Sequence, residues 1–235
     1  MSESFRYGFE QYRRVTAPKA CTSDFEQLYD TAVFATHGAV DMGFHYGGKH
    51  VGAVMPVYDT GEDTLFYEPT LKLVSAGSFK PVREADSDAR YTRVCAEQNL
   101  IDNGLHEGDL LLGALFLRFR NRPEQLEGNV FDGAFLCGPC RNRALRVIGP
   151  NIVVVSFVGE NDEPEQVMTI GQMNDIQEFG QPVTPLATGP DIRRFIIEEV
   201  FKTGDYQMRL RNKPRVPSRI YKRPTNEQKL PFISE

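Results

Sequence analysis

The sequence predicts an α/β fold with a central mixed sheet and helices on both of its faces. Segments with the two-residue period of strands alternate along the chain with segments that have the period of helices. Two apolar runs, LLLGALFLRF (110–119) and NIVVVSFV (151–158), have the composition of strands that are buried on both faces. This alternation is typical of layered α/β domains.

The N-terminal part of the chain predicts an arm, a helix and a loop. Residues 1–20 are polar and lack a clear period, so we expect them to be irregular. Apolar residues at helical spacing predict a helix that starts at Phe25, after a group of N-capping oxygens, and ends at Gly38. The glycine-rich stretch GFHYGGKH (43–50) predicts a loop, because its spacing is not that of a nucleotide-binding motif.

The remaining elements follow from the same patterns. Branched residues bounded by turn residues indicate strands, and apolar residues on one face indicate helices, as with Ile192, Phe195, Ile196 and Val200. Polar segments at 77–93 and 120–133 are predicted to be irregular. In chain order, we predict strands at His50–Tyr58, Thr64–Tyr67 and Thr70–Ala76, a helix at Cys95–Asn103, a strand at 110–119, a helix at Asn142–Val147, strands at 151–158 and 167–170, and helices at 171–179 and Asp191–Thr203.

Composition indicates the compartment and excludes some functions. The formal net charge of −5 argues against a protein coated in nucleic acid. No stretch approaches the roughly 18 apolar residues of a membrane span, and the N-terminus lacks the apolar region of a signal peptide. We therefore expect a cytoplasmic protein without membrane contact. In a reducing compartment, clustered cysteines more often serve a metal or catalysis than a disulfide.

Three of the four cysteines lie in two short segments, VCAEQNL (94–100) and LCGPCRN (136–142). Cys137 and Cys140 form a CxxC pair that can hold one metal ion, and Cys95 offers a third thiolate. A redox pair and a buried, unreactive Cys95 are alternatives at this point. A structural zinc would need a fourth ligand, for which the remaining candidates are Cys21, His37, His45, His50 and His106.

Glu97, two residues after Cys95, favours a catalytic metal over a structural one. Three protein ligands leave the fourth zinc position for water. A carboxylate beside that water can move protons without binding the metal.

The order C-A-E (95–97) followed by C-G-P-C-R (137–141) resembles the cytidine deaminase family in its three-cysteine form. HVGAVM (50–55) is similar to the first core strand of that family, and IGQMNDIQEFGQP (170–182) is similar to its closing segment. Leu136 stands where the family motif has proline, and Gln98 where tetrameric relatives have arginine. The resemblance covers residues 23–185, with an N-terminal arm at 1–22 and a C-terminal helix and basic extension at 186–235.

The resemblance implies a three-layer α/β/α fold, zinc as cofactor and a homo-oligomer, either dimer or tetramer. It assigns Cys95, Cys137 and Cys140 to the metal and Glu97 to proton transfer. It also implies that Arg141 donates to a zinc-bound sulfur.

Four further residues are candidates for contacts to the substrate. They are Lys49, Glu84, Ala96 and Phe179. Relatives carry phenylalanine in place of Lys49, and no asparagine accompanies Glu84 as it does in the family's sugar-reading element. Phe179 belongs to the closing segment, which in relatives covers the base.

The implied function is that of a hydrolase of nucleoside metabolism that deaminates cytidine, deoxycytidine or a related aminopyrimidine nucleoside. One alternative is a deaminase of nucleotides or single-stranded nucleic acid. Residues 202–224 would guide it, since they hold eight Lys or Arg residues and one acid, Asp205, with interleaved tyrosines. The other alternative is a binding or assembly protein that a structural zinc stabilises.

Overall fold

A mixed β-sheet of eight strands forms the centre of the part of the chain that the structure describes. The structure is a computed structural model, which describes residues 12–16, 24–45, 47–59, 70–79, 94–121, 136–180 and 183–211. The predicted strand segment Thr64–Tyr67 and the loop residues 80–93 and 122–133 lie outside these ranges. None of the described helices is both long and apolar enough to span a membrane.

The elements follow one another as helices and strands in alternation. In chain order they are β1 (Tyr12–Thr16), α1 (Phe25–His45), β2 (Gly47–Asp59), β3 (Thr70–Phe79), α2 (Ala96–Asn99) with a π-helical continuation (Leu100–Gly104), β4 (Leu110–Leu111), β5 (Ala114–Phe119), α3 (Gly138–Val147), β6 (Val153–Val158), β7 (Gln166–Thr169), α4 (Ile170–Phe179), α5 (Asp191–Phe195) with a second π-helical continuation (Ile196–Lys202), and β8 (Met208–Arg209).

The sheet has the order β1-β3-β2-β5-β6-β7, and β4 pairs with both β2 and β8. β5 and β6 are parallel, with Phe116 opposite Val155. The other pairings among the described strands are antiparallel. α3 lies in the connection from β5 to β6, where a parallel pair needs a crossover. The α/β class and the mixed sheet that the sequence predicts are confirmed.

Each face of the sheet carries its own hydrophobic core. Leu115 and Leu117 of β5 face α2, α3 and α4, whereas Phe116 faces α1 and α5. The alternation follows from the strand period of two residues. Buried apolar residues on both faces explain why β5 and β6 are continuous apolar runs in the sequence.

The predicted end of the first helix is wrong. α1 continues through Gly38 to His45, and β2 begins at Gly47, so the predicted glycine-rich loop at 43–50 is wrong as well. Gly38 is an exposed residue within the helix, and the buried residues Ala39 and Val40 directly after it pack against the sheet. Burial of that turn outweighs the low helix propensity of one glycine.

Two other segments also differ from the prediction. Tyr12–Thr16, predicted to be irregular, is a strand that pairs with β3. The run 110–119 is not one strand, because the chain turns at Gly113 with φ of 91°. A side chain at Gly113 would also meet the Cβ of Tyr206 at 2.6 Å. The turn separates β4, which pairs with β8, from β5.

Helix α1 lies directly on the sheet because two strand glycines let the backbones approach. A Cβ built on Gly77 would lie 2.4 Å from the backbone nitrogen of Gly43. A Cβ built on Gly52 would lie 2.6 Å from the backbone nitrogen of Val40. Contact with backbone atoms cannot be relieved by turning a side chain, so any larger residue must push the helix away.

We predict that Gly77→Ala lowers the free energy of unfolding by about 1–3 kcal/mol, the usual cost of overpacking. Gly38→Ala is the matched control, because nothing lies within 4 Å of its Cβ. The control should raise the free energy of unfolding by about 0.5–1 kcal/mol, since alanine is the better helix former. Urea unfolding measures both. Equal effects at the two positions would contradict the close helix–sheet approach.

Candidate metal centre

Two helices begin next to each other on one face of the sheet, and a cysteine stands at each start. Cys95 is the N-cap of α2 and Cys137 the N-cap of α3. Their backbones have nearly the same extended conformation, with φ and ψ of −69° and 154° at Cys95 and −64° and 156° at Cys137. Each carbonyl accepts the first hydrogen bond of its helix, from Asn99 at 2.9 Å and from Arg141 at 2.8 Å.

The three sulfur atoms meet between these helix starts. The Sγ atoms of Cys95, Cys137 and Cys140 all lie within 4.8 Å of one another, and those of Cys95 and Cys137 are 3.9 Å apart. Zinc–sulfur bonds of about 2.3 Å at tetrahedral angles place two sulfurs about 3.8 Å apart. The spacing therefore fits one ion between the three cysteines.

The thiols are crowded, and this disfavours their charged forms. The hydrogen bond with Cys137, followed by burial and the nearby Glu97 carboxylate, raises the pKa of the Cys95 thiol to about 12, against a smaller lowering by Cys140. Hydrogen bonds with Cys137 and Cys95, together with burial, raise the pKa of the Cys140 thiol far above its ordinary value. Three thiolates at this spacing need a cation to offset their repulsion. A divalent metal supplies that charge.

The described residues supply three metal ligands and no fourth. Neither a histidine, aspartate or glutamate nor another cysteine of the described ranges joins the three sulfurs. Of the predicted alternatives for a fourth ligand, His37 contacts Asp162 at 2.8 Å and His50 lies 3.5 Å from Arg120. Cys21 lies outside the described residues. A three-thiolate set is the composition of an open site rather than a closed structural one.

Glu97 is buried next to the sulfurs. It lies in the first turn of α2, and only 3% of its surface is exposed. Its charge acts on the thiols of both Cys95 and Cys140, so the carboxylate is close to both halves of the centre. A buried carboxylate is uncommon because desolvation is costly, and its position beside a cluster of titratable groups is typical of functional sites.

Arg141 of α3, the residue after Cys140, is buried, with 4% of its surface exposed. It follows Cys137 by four residues on α3, so the two side chains share one helix face. Its Nη2 donates to Oε1 of Glu178 at 2.5 Å. Sequence reasoning missed Glu178. One signal could have identified it: an acid in the last turn of a helix opposes the helix dipole, which suggests another partner.

A second arginine connects the two helices that carry the three cysteines. Arg143 of α3 donates from Nε and Nη2 to Oδ1 of Asp102, at 2.9 and 2.7 Å. Asp102 lies in the π-helical continuation of α2, and 3% of its side chain is exposed. π-Helical turns often occur near functional sites. Here the turn carries the carboxylate that ties the helix of Cys95 to the helix of Cys137 and Cys140.

The other predicted contact residues lie in different settings. Ala96 is fully buried at the start of α2, and 67% of Phe179 is exposed at the end of α4. Glu178, its neighbour in the chain, contacts Arg141, so the end of α4 that carries Phe179 lies near the start of α3. Lys49 belongs to β2, but its side chain lies outside what the structure describes, as does Glu84.

Comparison with protein-family models, with curated proteins and with solved structures finds no match to this chain.

We predict that the purified chain binds one zinc ion. Cys137→Ser and Cys140→Ser should lose most of this metal, because a hydroxyl is a poor replacement for a thiolate ligand. Cys21→Ser is the matched control and should keep the metal. Metal analysis by mass spectrometry after dialysis measures the zinc content. A full equivalent of zinc in Cys137→Ser would refute the ligand assignment.

Proposed function

We propose that the chain is a zinc-dependent hydrolase that deaminates an aminopyrimidine nucleoside or a related aminated heterocycle. The single observation that carries this proposal is the meeting of Cys95, Cys137 and Cys140 beside the buried carboxylate of Glu97. An open three-thiolate centre with an adjacent acid that is not a ligand is the arrangement that zinc deaminases use.

The arrangement of elements supports the same proposal. In the cytidine deaminase resemblance, a helix that starts with C-A-E is followed by a strand and then by a helix that starts with the CxxC pair. α2, β5 and α3 have this order, with Cys95 and Cys137 as the two N-caps. Helices on both sheet faces also agree with a three-layer α/β/α fold of this type. We extend the proposal to that fold.

The donor set favours zinc over other metals. Thiolates are soft ligands, and hard ions such as magnesium prefer oxygen. When bound, zinc lowers the pKa of water in its open position and so supplies hydroxide near neutral pH. Cys95, Cys137 and Cys140 hold the ion, and the buried guanidinium of Arg141 offsets part of the negative charge of the thiolates.

Glu97 has the proton-transfer role in the proposed mechanism. Its carboxylate takes a proton from the attacking water and delivers it to the ring nitrogen next to the carbon under attack. It then carries the second water proton to the amino group, which leaves as ammonia, while the ring carbon keeps the oxygen as a carbonyl. Burial suits this exchange, because bulk water is kept away from the carboxylate and from the reacting atoms.

We predict that Glu97→Gln keeps one zinc per chain and loses deaminase turnover by about 10²–10⁴-fold, the usual contribution of a general acid–base group. An acid at the next position, as in Gln98→Glu, would not replace Glu97, because neighbouring side chains leave a helix in different directions. Gln98→Ala, one residue away, is the matched control and should keep most of the activity. An unchanged rate in Glu97→Gln would remove this residue from the mechanism.

The substrate class is tested by a deaminase screen over cytidine, deoxycytidine, their monophosphates, modified cytosines and single-stranded oligonucleotides, with ammonia release as the readout. We expect turnover of a free nucleoside with little dependence on salt. Activity confined to nucleotides or oligonucleotides, with binding that weakens steeply as salt rises, would favour the alternative in which the basic tail guides the substrate. Zinc binding without deamination of any substrate would support the structural alternative.

A homo-oligomer remains part of the proposal through the family resemblance, and a cytoplasmic location remains part of it through the composition of the sequence. Sedimentation of the zinc-loaded chain measures the oligomeric state directly.

A further inference from the structure

The Arg141–Glu178 pair carries an inference that rests on the proposed metal centre and goes beyond its ligands. A buried guanidinium is costly unless its charge and its N–H groups find partners. Arg141 is 4% exposed, and its Nη2 donates to Glu178. Its Nε is also buried, and it has no hydrogen-bond partner within the described part of the chain. Glu178 therefore holds the Nη2 end of the guanidinium, and the Nε–H group still lacks an acceptor among the described residues.

The spacing of residues on α3 indicates that this donor lies on the side of Cys137. Cys137 and Arg141 are four residues apart on the helix, and helical side chains lean toward the N-terminus. The side chain of Arg141 consequently leaves the helix in the direction of Cys137, which is the N-cap. Three thiolates around a divalent ion keep one net negative charge, and a guanidinium N–H is a suitable donor to such a sulfur.

Glu178 belongs to a helix that has its own capping contacts at both ends. Helix α4 begins with a capping box between Thr169 and Gln172 and ends at Gly180, which has φ of 63°. Met173 and Ile176 of α4 pack in the same core as Cys140 and Ala144 of α3. Both the start and the apolar face of α4 are thus fixed. Its last turn presents Glu178 to Arg141 from a rigid element.

We propose that Glu178 is a positioning residue of the metal centre. Its carboxylate fixes the guanidinium plane of Arg141 so that the buried Nε–H points at the thiolates. Glu178 touches neither the metal ligands nor the substrate in this account, and it acts through Arg141. Partners of this kind orient metal ligands in many proteins, and their loss typically weakens metal affinity by about 10–100-fold.

The test is cobalt binding to the metal-free full chain, followed by the sulfur-to-cobalt charge-transfer absorption in competition with a chelator. We expect Glu178→Ala to weaken cobalt affinity by about 10-fold or more and to shift the absorption band. Glu178→Gln, which keeps an oxygen acceptor for Arg141, should lie closer to the wild type. Glu198→Ala is the matched control, because Glu198 is also a half-exposed partner in an ion pair, with Lys202 at 2.6 Å. It should match the wild type in affinity and spectrum.

A purely structural role of the pair would lower the thermal unfolding temperature of Glu178→Ala without moving the cobalt spectrum. That result, or affinity equal to that of Glu198→Ala, would overturn the inference. If Glu178→Ala does not fold, Arg141→Met carries the test with the same expected loss, because methionine removes the contact from the other side and refills the buried space.

The result of the cobalt-binding test is independent of whether the chain catalyses the proposed reaction. A chain that binds cobalt as described but deaminates nothing would refute the reaction and keep the inference. A wild-type chain that takes up no cobalt would overturn the metal centre and this inference together.

Discussion

The close approach of three sulfurs is the constraint on which the candidate metal centre depends. The Sγ atoms of Cys95, Cys137 and Cys140 lie within 4.8 Å of one another in a partly buried setting. Their thiols resist ionisation there, as the raised pKa of Cys95, to about 12, indicates. A cation between them would offset the charge of their thiolate forms. The roles that we propose for Glu97 and Arg141 depend on that cation.

The fold serves this constraint by fixing where two helices begin. The connection between the parallel strands β5 and β6 contains α3, and the hairpin of β2 and β3 precedes α2. Both helices pack on one sheet face, where two hydrogen bonds from Arg143 to Oδ1 of Asp102 tie them together. The cysteines at their N-caps then lie close together, with Sγ atoms 3.9 Å apart. On the opposite face, α1 rests on Gly52 and Gly77 and leaves the face of the three cysteines to the other helices.

The local chemistry of the centre can be predicted from the sequence, but its support cannot. The CxxC spacing and the nearby C-A-E word identify the three thiols, because ligand spacing within a helix start is a short-range property. The buried runs of β5 and β6 are equally visible as apolar segments. By contrast, Arg141 and Glu178 are 37 residues apart, and so close a contact arises only from the packing of α3 on α4. The prediction that α1 ends at Gly38 is wrong for a similar reason, because the tertiary burial of Ala39 and Val40 decides how far the helix continues.

X-ray absorption at the zinc edge of the zinc-loaded chain tests the central claim most directly. We predict three sulfur neighbours at about 2.3 Å and one oxygen or nitrogen neighbour at about 2.0–2.1 Å, as in an open centre with a coordinated water. Four sulfur neighbours would mean that Cys21 closes the site into a structural centre, and an absence of sulfur would mean that the cysteines do not hold the metal. Either spectrum would contradict the account.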